Sequence, residues 1–138
     1  ERSIAVWKVP VFHHPIYSSG RHGSDAGLRR QLEPLFVRHR VQVAFSGHDH
    51  VYQRVTPQQG VQYFVSGAGG KLREGDLDRD RLVAAGYDAD CHFMELEASA
   101  SRFAYRAINS RGETVDRGEL AAPETALSGL MKRFTRAA

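Results

Sequence analysis

The sequence predicts an α/β chain: a βαβ unit, then antiparallel strands, then a C-terminal helix. Residues 4–12 (IAVWKVPVF) are nearly all apolar, the mark of a strand covered on both faces. Residues 41–46 (VQVAFS) form a second short apolar run, and a stretch with helical periodicity lies between the two. Strand, helix and strand in succession imply a parallel pair with a right-handed crossover. Both strands then end on the same rim, which is where ligand sites of such sheets lie.

After the first strand, residues 15–24 read as loop, rich in Ser and Gly behind Pro15. Ser24 and Asp25 are suited to cap a helix that runs to about His39. Leu28, Leu32, Leu35 and Phe36 fall on one of its faces, and Pro34 predicts a kink. After the second strand, residues 61–66 read as another strand. Residues 68–90 read as a long polar loop with a helical turn near 77–84. Residues 91–98, 102–109 and 114–118 have the pattern of an antiparallel meander, with turns at 99–101 and 109–112. Pro123 opens a last helix carrying Leu127, Leu130, Met131 and Phe134 on one face.

The 138 residues fit one domain, 1–138, with 41% hydrophobic and 25% charged residues. No run approaches the length of a membrane span, so no membrane partner is expected. The net charge of +3 suits an anionic substrate but is too small and dispersed for nucleic acid. Cys91 is the only cysteine, which excludes an internal disulfide and leaves the compartment open.

Histidine is the unusual residue. Five of the seven (His13, His14, His22, His48 and His50) fall in two short loops. His13 and His14 stand at the end of the first strand, and Gly47-His48-Asp49-His50 at the end of the second. The parallel βαβ unit therefore brings two clusters together that are far apart in sequence. Imidazole is the commonest metal ligand and suits Zn, Fe and Mn. Gly47 gives the backbone freedom for a bend that sends the two histidines of His-x-His toward neighbouring ions.

Phe12-His13-His14-Pro15, a helix and a strand, then Gly47-His48-Asp49-His50-Val51-Tyr52-Gln53-Arg54 resemble the calcineurin-like metallophosphoesterases, in particular their purple acid phosphatase-like branch. The resemblance is good over residues 6–73 and looser through Gly118. It implies the C-terminal part of a four-layer αββα catalytic domain. It also implies two divalent or trivalent ions (Fe, Zn or Mn), with His13 and His48 on the second metal and His50 on the first. His22 would contact substrate and protonate the leaving alkoxide, with Tyr17 and Arg54 as further substrate-binding residues. Two cations would clamp phosphate oxygens and acidify a water, whose hydroxide attacks phosphorus. The implied activity is phosphomonoester hydrolysis, with phosphodiester hydrolysis as the alternative. The branch leans toward a secreted or periplasmic location.

The family pattern also has Asp-x-His, Gly-Asp-x-x-Tyr and Gly-Asn-His-Glu segments upstream, and these supply carboxylate and asparagine ligands. None of them stands before His13 in this sequence. The expectation is that the N-terminal part of the domain is absent from this chain, in the same gene or on a separate chain. The chain alone should then bind metal poorly and hydrolyse little or nothing, and a non-catalytic metal- or partner-binding domain is the competing reading. Asp90-Cys91-His92 has an Asp-x-His form but lies downstream, in a strand, and is expected to be structural.

Overall fold

A computed structural model describes Ser3 and residues 5–122 of the chain. The helix expected from Pro123 lies outside the described residues. Among the described residues, two sheets and one long helix form three layers. The first sheet has five strands: β1 (Val11–Phe12), β2 (Val43–Ser46), β3 (Tyr52–Val55), β4 (Gln62–Ser66) and β5 (Val83–Tyr87), in the order β1-β2-β4-β3-β5. The second has three: β6 (His92–Ala98), β7 (Arg102–Asn109) and β8 (Thr114–Ala121), in chain order. Among the described residues no helix is long and apolar enough to cross a membrane.

The helix α1 (Ala26–Arg38) starts where the sequence places it. Asp25 accepts the Leu28 N–H at 2.8 Å and so satisfies one of the free donors of the first turn. The helix runs on through Pro34. Leu28, Leu32 and Phe36, each one turn apart, pack on Ala44, Val61 and Tyr63 of the first sheet. Leu35, expected on the same face, is 49% exposed, because the 28-32-36 row already fills the contact.

Alternation along the strands assigns the two faces of the first sheet. Val43, Phe45, Tyr52 and Phe64 turn away from the helix and meet Phe103, Tyr105 and Ala107 of β7. Phe45 and Phe64 stack at 5.1 Å, and Phe64 meets Tyr105 edge-on at 4.8 Å. Burying large side chains such as these, at roughly 1.5–3 kcal/mol each, makes this inter-sheet layer a major stabilising contact beside the helix-side core.

Two expectations are corrected. The first apolar run forms a strand only at Val11–Phe12, and Val11 is 76% exposed. The face of β1 that carries Val11 is therefore open, and β1 is the edge of the described sheet, paired only with β2. The polar stretch 68–90 contains β5, paired antiparallel with β3 through Tyr52↔Tyr87 and Arg54↔Ala85, and no helical turn forms at 77–84. Val-Ala-Ala-Gly-Tyr carries little strand signal of its own; the free edge of β3 recruits it.

Candidate metal centre

Register builds the site. β1 and β2 are parallel, with Phe12 opposite Ser46, so His13 and Gly47 leave the sheet side by side. The Gly47 N–H donates to the His13 carbonyl at 3.1 Å. The next residue, His48, has φ +65°, a left-handed conformation that costs a non-glycine residue roughly 1–2 kcal/mol. The bend lays its imidazole against that of His13, with His13 Nε2 and His48 Nδ1 3.1 Å apart. The His14 ring centroid is 4.2 Å from that of His48, and the His22 centroid 4.5 Å. Four imidazoles thus converge on one rim. A cavity of about 220 Å³ opens beside them, lined by His14, His22, His48 and the turn from Gly23 to Asp25. Desolvation, then the neighbouring His14, His22 and His13, pushes the His48 pKa below the usual histidine range.

Asp49, between the two motif histidines, is 1% exposed and holds the His22 loop. Its Oδ1 accepts the His22 N–H at 2.9 Å and its Oδ2 accepts the Ser18 hydroxyl at 2.5 Å. Ser18 Oγ in turn accepts the Gly20 N–H at 2.9 Å. Gln53 continues the network: its Oε1 accepts the Ser19 N–H at 2.8 Å and its Nε2 donates to Ser19 Oγ at 3.1 Å. Ser19 Oγ donates to Asp80 at 2.8 Å, which ties the 76–82 segment down. Gly67, at the end of β4, passes so close to the Asp49 carbonyl that no Cβ would fit. Sequence reading missed Asp49, Ser18 and Gln53. Asp49 stands in the motif, but nothing in the sequence marks its burial.

The other expected site residues lie elsewhere. His50 is outside the imidazole cluster, and its buried Nδ1 has no hydrogen-bond partner. Tyr17 is 9% exposed; its hydroxyl donates to Glu33 at 2.6 Å, and burial and Glu33 push its pKa up to about 12. Arg54 points between the sheets, where its Nε donates to Asp116 of β8 at 2.8 Å. Tyr52 donates to the same carboxylate at 2.6 Å. Tyr17 and Arg54, expected to hold substrate, are thus committed to packing and an ion pair, and neither lines the histidine cavity. His92 is a buried structural histidine: it bonds Ser66 at 2.9 Å, and Asp90 accepts from Ser110.

The donors present fit part of a metal centre. Two ring nitrogens 3.1 Å apart match an edge of a coordination polyhedron, since zinc–nitrogen bonds of roughly 2.0–2.1 Å at tetrahedral angles put ligands about 3.4 Å apart. The unpartnered His50 Nδ1 is a further available donor. Among the described residues no carboxylate joins the cluster; both Asp49 oxygens are taken, and Asp25 caps the helix.

Residues 2–52 match the family model described as calcineurin-like phosphoesterase. Purple acid phosphatase 7 of Arabidopsis thaliana is 30% identical over 122 residues, 87% of this chain and 37% of that protein. Tartrate-resistant acid phosphatase type 5 of Homo sapiens is 36% identical over 103 residues, 75% of this chain and 31% of that protein. The chain spans about a third of the length of these two relatives. A solved structure, GAP50, the anchor in the inner membrane complex of Plasmodium, superposes with TM-score 0.82 at 20% identity, over 96% of this chain and 42% of that one, and so shares the fold. With motif, fold and relatives in agreement, the chain belongs to the calcineurin-like metallophosphoesterases, on their purple acid phosphatase-like branch.

Proposed function

We propose that this chain forms the C-terminal part of a binuclear phosphomonoesterase site. The observation that carries the reading is the 3.1 Å approach of His13 and His48 on the rim, with the His22 ring beside them. In this reading His13 and His48 hold one cation and His50 takes part in holding the other. Iron, zinc or manganese all suit imidazole ligands. When bound, the cation pair supplies the Lewis acidity that clamps phosphate oxygens and acidifies a water. His22 hydrogen-bonds a phosphate oxygen and gives its proton to the departing alkoxide. Asp49 fixes the His22 backbone so that the imidazole needs little reordering before proton transfer.

In this reading hydrolysis requires carboxylates from the rest of the domain, so the 138-residue chain alone hydrolyses little. The reading is tested on the protein that carries the upstream segments, loaded with Mn or Zn and assayed on mono- and bis-p-nitrophenyl phosphate. The monoester should be preferred. His22→Ala should lower kcat by roughly 10²–10⁴-fold with metal content unchanged, as expected for loss of a general acid. Turnover that survives His13→Ala and His48→Ala would overturn the reading. No turnover with both metals bound would leave a binding domain.

A further inference from the structure

We propose that His14 completes, with His13 and His48, a three-imidazole cation site contained within this chain. The proposal rests on the reading of His13 and His48 as ligands and adds a ligand to it. One nitrogen from each of the three rings lies within 4.8 Å of the others. Such a triangle closes on a single ion with sub-ångström to ångström adjustments of exposed side chains. One pair, His13 Nε2 and His48 Nδ1, is 3.1 Å apart, already close to coordination spacing.

His14 has no competing role. Its ring makes no hydrogen bond to another described residue, and its aromatic neighbours are His13 at 4.9 Å and His48 at 4.2 Å. The residue after it, Pro15, is buried, which anchors the chain just beyond and limits where the ring can go. Backbone conformation also serves the cluster. His48 spends its left-handed φ of +65° turning toward His13 and His14 rather than along the strand. His50 stays outside the triangle.

Three neutral nitrogen donors with an open side are the donor set of a His₃ zinc site, with the last position left to water or an anion. Imidazole-only ligation favours Zn, Co, Ni and Cu over Mg and Ca, which take oxygen ligands. The ligand class is therefore a borderline first-row divalent cation, bound one per chain without any carboxylate.

The test titrates the full 138-residue chain with Zn²⁺ and Co²⁺ by calorimetry, and follows the Co²⁺ visible absorption bands. The expected result is one ion per chain with intense, low-symmetry Co²⁺ bands. His14→Ala should lower the affinity about tenfold or more, because a direct ligand is worth at least as much as the residues that merely orient ligands. His50→Ala should leave it unchanged. Metal-free thermal melts of each variant check that folding is intact. Wild-type affinity in His14→Ala, with loss in His13→Ala and His48→Ala, would overturn the proposal and spare the reading beneath it. An equal loss in His50→Ala would overturn the proposal by making His50 the third ligand. No binding by the wild-type chain would also overturn the proposal, while the reading beneath it would fall only to turnover that survives His13→Ala and His48→Ala.

Discussion

Asp49 holds His22 by its backbone: the carboxylate Oδ1 accepts the His22 N–H at 2.9 Å, while Oδ2 accepts from Ser18. The loop that carries His22 is therefore fastened to the turn that carries His48. Asp49→Ala strips the acceptor from two donors, one of them the buried Ser18 hydroxyl. Losing bonds to a charged group at roughly 1.5–3 kcal/mol each, the variant should unfold about 2–4 kcal/mol more easily. Urea denaturation of Asp49→Ala and wild type measures the difference, and an unchanged midpoint would contradict the clamp.

Gly67→Ala should also destabilise, by about 1–3 kcal/mol, because its Cβ runs into the Asp49 carbonyl and carbon. The obstacle is backbone, which cannot swing aside as a side chain does. Gly70→Ala is the control, since open space surrounds a Cβ there. Comparison of the two melting temperatures checks this.

Burial pulls the His92 pKa from 6.5 down to about 4. The folded state thus binds fewer protons than the unfolded state between those values. The stability this contributes is present above pH 6.5 and is lost as pH falls toward 4, at up to about 1.4 kcal/mol per pH unit. His92→Gln can still bond Ser66 but does not titrate. Its stability should vary less with pH than that of wild type between pH 6.5 and 4. Parallel pH profiles would refute this assignment.

Arg54 bridges the two sheets through Asp116, and both side chains are largely shielded. Hydrogen bonding to Asp116 raises the Arg54 pKa and holds the charge in place. Arg54→Ala leaves Asp116 facing Tyr52 alone and should cost roughly 1–3 kcal/mol of stability, discounted from a fully buried pair for solvent screening. If the protein is the phosphomonoesterase proposed above, the same variant should leave its KM for the phosphomonoester unchanged. A raised KM with unchanged stability would return Arg54 to substrate binding.

The legible parts of the site were those fixed by local pattern. Two apolar runs around a capped helix put His13 and His48 on one rim, because a parallel pair leaves no other arrangement. The capping role of Asp25 and the three meander strands were equally local. Side-chain direction beyond the strand ends was not legible. Tyr17 and Arg54 carry groups suited to phosphate, but alternation turns Arg54 between the sheets and a contact with Glu33 captures Tyr17. β5 exists because β3 had a free edge, a tertiary cause with no sequence signature. The role of Asp49 depends on a loop 27 residues away and is invisible to motif reading.

The central claim is that His13 and His48 share one cation. Crystals of the full 138-residue chain grown with Zn²⁺ and measured at the zinc absorption edge test it most directly. The expected result is a strong anomalous peak about 2.0–2.1 Å from both His13 Nε2 and His48 Nδ1. A zinc-soaked crystal with no peak there, or with zinc bound only at other side chains, would contradict it.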